Sequence, residues 1–273
     1  MGDHTTWYGG TMSEVYGNTG MYMKKMLDTL INVGYIDPLI VVCPDNFSTY
    51  EGSWYTNSTV TGNWEDFMAQ EVVSWIDANY RTLAVPESRG IAGHSMGAYG
   101  AMKLAMKHPD VFGLVYAMSG TLEFARTYLD LKRDELIAAR GTSNWSAFMD
   151  ISLKIIISRA LAYAPNAALS PFQGEFPLDE EGTLIDSTWQ KWLAHDLYSM
   201  ADEYVDKLRS LQGIRFDCGS DDESNISCTH FSDALTRLGI DHHYESYLGN
   251  HTDQISERMA SKLFPFFSES LEQ

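Results

Sequence analysis

A chain of 273 residues, 44% hydrophobic and 21% charged, suits a globular fold with a sizeable core. No run in it approaches the roughly 18 apolar residues needed to span a bilayer. Its 37 acidic against 19 basic residues leave a formal charge of −18, which repels phosphate backbones and anionic headgroups and argues against nucleic acids and membranes as partners.

The N-terminal text MGDHTTWYGG has neither the basic nor the apolar region of a signal peptide. A cytoplasmic location is therefore the default, with secretion open should the N-terminus be incomplete. Three cysteines, Cys43, Cys218 and Cys228, are odd in number and lack metal-ligand spacing. No metal, cofactor or disulfide framework is expected, although Cys218 and Cys228 could pair across a loop.

In chain order, LIVVC (39–43) reads as a first buried strand. NWEDFMAQEVVSWIDANY (63–80) places Phe67, Val72, Trp75, Ile76 and Tyr80 largely on one helical face. GIAG (90–93) is a short strand, AYGAMKLAMKH a helix rich in small residues, and LVYAMS (114–119) another strand. From Thr121 to Gln212 the text is helical and then loop-rich, with no convincing strand. IRFDC (214–218) and HHYESYL (242–248) are the last strands, separated by the helical pattern 229–239 and followed by that of 255–271. Strands alternating with helices predict an α/β fold: a mostly parallel sheet flanked by helices, one domain over 1–273, with 121–212 as a helical cap insertion.

Within GIAGHSMGAYG, Gly93, His94, Ser95, Met96 and Gly97 form a Gly-x-Ser-x-Gly pattern between a strand and a helix. That is the setting of a nucleophile elbow, whose turn is too tight for bulk at the neighbouring positions. A serine hydroxyl needs a histidine base, itself oriented by a carboxylate. Asp221 and Asp222 follow the strand 214–218, and His251 follows the strand 242–248, which is the chain order of an α/β-hydrolase triad. Asp221 and Asp222 compete for the acid role, since either could instead form the turn. His242 and His243 lie within the expected strand and read as structural, His94 as packing beneath the elbow, and His195 as a surface residue of the insertion.

These stretches together resemble the esterase D-like α/β-hydrolases, which include family 1 carbohydrate esterases, feruloyl esterases and S-formylglutathione hydrolases. The resemblance runs through VVCPD, GSWYTNSTVTGNWEDF, YRTLAVPESRGIAGHSMGAYGAMKLAMKHPDVF, DSTWQKWLAHDLYSMADEY, FDCGSDDE and YLGNHTDQI. It implies Ser95 as nucleophile, Asp222 as acid, His251 as base and the Met96 backbone N–H as one oxyanion donor. A second donor would come from Gly2 or Asp3. The resemblance also implies strands ahead of Met1, one of them lying between the runs 39–43 and 90–93. Its loss would leave backbone groups unpaired or force those two runs together.

The expected activity is hydrolysis of carboxylic esters through an acyl-enzyme, on a small-molecule or saccharide ester. Trp54, Tyr55, Trp64 and Trp189, with Phe148, Phe172 and Trp192, are candidates for an aromatic substrate pocket, though each could equally be core. Short-chain acyl, aryl, cinnamoyl and acetyl-sugar esters all fit. An S-formylglutathione hydrolase-like thioesterase, an acyltransferase to a sugar and an inactive truncated homologue are the alternatives. An exposed central sheet edge would favour a homo-oligomer.

Overall fold

The computed structural model describes residues 23–46, 48–126, 128–146 and 149–272. Helix α1 (Met23–Asn32) is followed by irregular chain and a two-residue antiparallel ribbon, β1 (Asn57–Ser58) with β2 (Gly62–Asn63). Helix α2 begins as Trp64–Asp66, widens to a π-helical Phe67–Val72 and ends as Val73–Asn79. Then come β3 (Gly90–His94), α3 (Met96–Lys107) and β4 (Leu114–Met118).

The stretch from 121 to 212 is helical: α4 (Tyr128–Leu131), α5 (Arg133–Gly141), α6 (Ile151–Tyr163), α7 (Asp186–Leu193), α8 (Leu197–Met200) and α9 (Val205–Ser210). Among its described residues β pairing is limited to the isolated bridges Pro165 to Gly174 and Leu178 to Leu184. The chain closes with β5 (Gly213–Gly219), α10 (Asn225–Arg237), β6 (His243–Tyr247) and α11, which runs from Ile255–Arg258 through a π-helical Met259–Leu263 into Phe264–Ser270. Pro265 has no N–H to give, so the ladder widens just ahead of it.

Strands β3, β4, β5 and β6 form one parallel sheet in that order. All five residues of β4 are buried, as the continuous apolar run of a central parallel strand requires. Its alternation divides the core. Leu114, Tyr116 and Met118 meet Ile255, Phe264, Phe266 and Phe267 of α11, whereas Val115 and Ala117 join the larger cluster with α3 and α6. Helix α3 is buried from Ala98 to Met106. Such a helix tolerates one charge only if it is bonded: Lys103 Nζ donates to Thr56 Oγ1 at 2.5 Å and reaches His195 Nδ1 at 3.3 Å, and burial lowers its pKa to about 7.

The run 39–43 is not a strand. Residues 37–46 are irregular, and Ile40, Val41 and Val42 are exposed at 53%, 40% and 41%. A strand needs a neighbour to take its backbone hydrogen bonds, and no described segment pairs with this one. Nor is it drawn against β3, which is an edge of the sheet among the described residues; a groove of about 1700 Å³ has both runs in its walls.

His195 is not a surface residue either. Its ring stacks on Tyr163 at 4.6 Å, and burial, then the nearby charges of Lys103 and Lys107, lower its pKa from 6.5 to about 3. The folded protein therefore resists protonating an imidazole that the unfolded chain protonates freely below pH 6.5. Stability should fall as pH drops from 6.5 towards 3, by about 1.4 kcal/mol per pH unit for such a group. Urea melts between pH 4 and 6.5 check this: His195→Gln should flatten the slope of unfolding free energy against pH, and an unchanged slope would remove His195 from the account.

Candidate active site

Strand β3 must turn into α3 within one residue, and Ser95 is that residue. It sits at φ 59° and ψ −120°, a backbone setting that costs energy in any residue but glycine. The N–H of Ser95 still bonds Met118 O at 2.9 Å, so the sheet ladder continues up to the turn and fixes it from one side. From the other side, a Cβ on Gly93 would collide with the backbone of Gly97. The spacing of those two glycines is thus a packing requirement of the elbow, and it leaves the serine hydroxyl facing outward at the start of a helix.

His251 approaches from the loop after β6. Asn250 Oδ1 accepts the N–H groups of Thr252 and Asp253, and Asp253 Oδ2 accepts that of Asn250, so the loop is closed on itself. The Nε2–H of His94 donates to the His251 carbonyl at 2.7 Å. Burial first, then the neighbouring His251, lowers the pKa of His94 to about 4, which keeps it a neutral donor. His94, expected to pack beneath the elbow, is half-buried, lies among the residues lining the groove and ties down the histidine loop.

His251 Nδ1 lies 2.8 Å from Asp222 Oδ2, and its Nε2 lies 2.9 Å from Ser95 Oγ. Because a carboxylate only accepts, Nδ1 carries the proton and Nε2 presents a lone pair to the serine hydroxyl. Asp222 also accepts the Ser224 N–H at 2.8 Å and faces Cys218 Sγ at 3.4 Å. Burial alone would raise its pKa, but the bonds from His251 and Ser224 outweigh that and bring it to about 2. Asp221 is exposed and gives its N–H to Gly249 O, so the carboxylate that meets the imidazole is that of Asp222.

Met96 is the first residue of α3, where a backbone N–H has no partner within the helix and the helix dipole favours negative charge. It stands beside the Ser95 hydroxyl. Gly2 and Asp3, the expected sources of a second donor, lie outside the described residues.

Of the expected pocket aromatics, Trp54 and Tyr55 line the groove that holds Ser95 and His251. Both take left-handed backbone settings, φ 49° and 47°, held by Trp54 Nε1–H donating to Ser158 Oγ at 2.8 Å and by the Tyr55 ring seated on Gly100. Trp64 and Trp189 are not among the groove's walls. The first caps its own turn by donating to Thr61 O at 2.7 Å, and the second is core against Phe124, ring centres 6.1 Å apart. Phe172 and Trp192 are core residues as well, and Phe148 lies outside the described residues. Tyr50 and Ser158, both groove residues, carry no sequence signal that sets them apart.

Cys218 and Cys228 are separate buried thiols. Among the described residues no group of three or more His, Cys, Asp or Glu is placed to hold a metal ion, and no helix is long and apolar enough to cross a membrane.

A family described as putative esterase matches residues 18–255. An esterase of Mycobacterium tuberculosis is 38% identical over 95 residues, an alignment that takes in 33% of this chain and 20% of that protein. A diacylglycerol acyltransferase/mycolyltransferase of Mycobacterium leprae is 33% identical over 130 residues, 44% of this chain and 38% of that protein. The chain thus aligns with well under half the length of either relative. Among solved structures, a ferulic acid esterase superposes with a TM-score of 0.60 at 19% identity, covering 92% of this chain and 78% of that one. The S-formylglutathione hydrolase of Staphylococcus aureus superposes at 0.52 and 21% identity, covering 79% and 68%. The shared architecture is the α/β-hydrolase fold.

Proposed function

The chain belongs to the putative esterase family, and from that premise we propose that it is a serine hydrolase of carboxylic esters working through an acyl-enzyme. One observation carries the reading: His251 bridges Ser95 Oγ and Asp222 Oδ2 at 2.9 and 2.8 Å, with the serine on a strained elbow.

In this mechanism Ser95 Oγ attacks the ester carbonyl carbon as its proton passes to His251 Nε2. Asp222, ionised at neutral pH, stabilises the imidazolium through Nδ1–H. The Met96 N–H faces the oxyanion that forms. Collapse expels the alcohol with the proton from Nε2, and a water molecule, activated by the same nitrogen, releases the acid and restores Ser95.

The groove wall near Ser95 carries Tyr50, Trp54, Tyr55 and Met96, a lining suited to aryl, cinnamoyl or short acyl groups. Acyl transfer to a sugar uses the same triad, and the mycolyltransferase relative favours it as a second reading. Product analysis with and without a sugar acceptor separates the two.

The test is labelling by a fluorophosphonate probe together with turnover of p-nitrophenyl acetate, p-nitrophenyl butyrate and methyl ferulate. Both should require Ser95 and His251. Turnover at the parental rate by a folded Ser95→Ala protein would end the proposal.

A further inference from the structure

Helix α6, ISLKIIISRALAY, is apolar around most of its circumference and buried along most of its length, yet it carries Lys154 and Arg159 into that environment. At helical spacing Ile151, Lys154, Ile155, Ser158 and Arg159 form one wall of the groove that holds Ser95 and His251. Gly52 is the spacer between this wall and the nucleophile. A Cβ there would stand 3.0 Å from Met96 Sδ and 3.5 Å from Ser158 Oγ, so the α6 wall begins one residue's thickness from the first residue of α3.

The two cations on that wall differ. Lys154 is paired with Glu51 at 2.9 Å. Arg159 is 2% exposed, forms no ion pair with an acidic side chain among the described residues, and has its Nε buried with no hydrogen-bond partner. Rings hold it instead: its guanidinium carbon lies 4.3 Å from the centre of Trp54, 4.9 Å from Tyr128 and 5.3 Å from Phe124. The polar groups around it are the phenols Tyr128, Tyr163 and Tyr99; Tyr128 is within hydrogen-bonding range, and burial raises the pKa values of the other two, so they offer dipoles and no counter-charge.

Such a cage fixes the plane of the guanidinium by cation–π contact while leaving its Nε–H unspent. A buried arginine ordinarily has a carboxylate partner, because desolvating its charge is costly and its fork of donors matches a carboxylate with two parallel bonds. Here the described residues supply the cation, the orientation and the opening to the groove, but no anion.

We propose that Arg159 binds an anionic group of the substrate, so that the ester cleaved at Ser95 carries a carboxylate on the portion lying against α6. The proposal rests on the hydrolase reading above. With a net charge of −18 the protein repels anions at a distance, so recognition depends on this desolvated contact rather than on steering.

The experiment compares matched esters with and without the charge. Mono-p-nitrophenyl glutarate against p-nitrophenyl pentanoate places the carboxylate on the acyl side; 3-acetoxybenzoate against its methyl ester places it on the alcohol side. One arm should show a kcat/KM at least tenfold higher for the anion, and Arg159→Met should cut that ratio tenfold or more, with Arg159→Lys between. No preference in either arm, or a preference that survives Arg159→Met, overturns the proposal and leaves Arg159 as a packing residue. Since the variant could lose the cage and unfold, calorimetry on Ser95→Ala protein gives an independent reading. Glutarate or 3-hydroxybenzoate should bind at least tenfold more tightly than the corresponding amide, and equal binding by both pairs rejects the site. Failure of the hydrolase reading looks different: the neutral esters would then turn over without Ser95, while the calorimetry would still decide the anion site.

Discussion

Asp222→Asn should lower kcat for aryl esters by about ten-thousandfold while leaving the protein folded. The argument is one of proton position. In the parent, the carboxylate accepts from His251 Nδ1–H and so leaves the lone pair on Nε2, pointing at Ser95 Oγ. An asparagine amide can present its NH2 to Nδ1 instead, which drives the proton to Nε2, where the ring can no longer accept from the serine. The charge that stabilises the imidazolium is lost at the same time. Folding should survive because the Asn oxygen can still accept the Ser224 N–H that Asp222 accepts at 2.8 Å. Steady-state kinetics on p-nitrophenyl acetate, with a thermal melt beside it, measures the effect. A loss of less than tenfold in a folded variant would mean that Asp222 does not govern the imidazole.

The elbow was legible in the sequence because its demands are local. Gly93 and Gly97 are needed by a turn that closes within five residues, and a strand and a helix of recognisable pattern flank it. His251 was legible by its position after the final strand. The choice between Asp221 and Asp222 was not open to pattern reading, since both occupy one turn and only the direction of the side chain separates them. The run 39–43 misled for a different reason: a strand is defined by its neighbour, and a continuous apolar run cannot say whether one is present. Trp64 and Trp189 show the same limit for side chains, because an aromatic ring that fills a core and one that lines a groove look alike in a sequence. His195 and Arg159 did leave a trace. Arg159 interrupts text that is otherwise apolar and helical, where a polar group must find a partner, whereas His195 stands beside Asp196 in the turn between α7 and α8, and its trace is only that of a ring in mixed polar text.

Arg258→Met should destabilise the fold by about 3 to 5 kcal/mol at pH 8, the expected cost of stranding one half of a buried ion pair. Arg258 is 4% exposed and Asp217 fully buried, and their side chains meet at 2.7 Å. The same guanidinium reaches Glu245 at 2.9 Å, and Asp217 also accepts from Tyr116 Oη at 2.6 Å. The network ties β4, β5 and β6 to the first turn of α11, which follows directly on the histidine loop. Burial already pushes the Asp217 carboxyl above its usual range, against the pull of Tyr116 and Arg258. Without the guanidinium it should rise further, so the variant's folded state would hold a proton that the unfolded chain, with an ordinary carboxyl, releases above about pH 4. A raised folded pKa contributes stability that is present at low pH and lost as pH rises through it. The deficit of Arg258→Met relative to the parent should therefore shrink between pH 8 and pH 5, and urea melts at the two values measure it. A deficit that stays constant or grows towards pH 5 would mean that Asp217 stays ionised without its partner and that Tyr116 alone is enough to hold the charge.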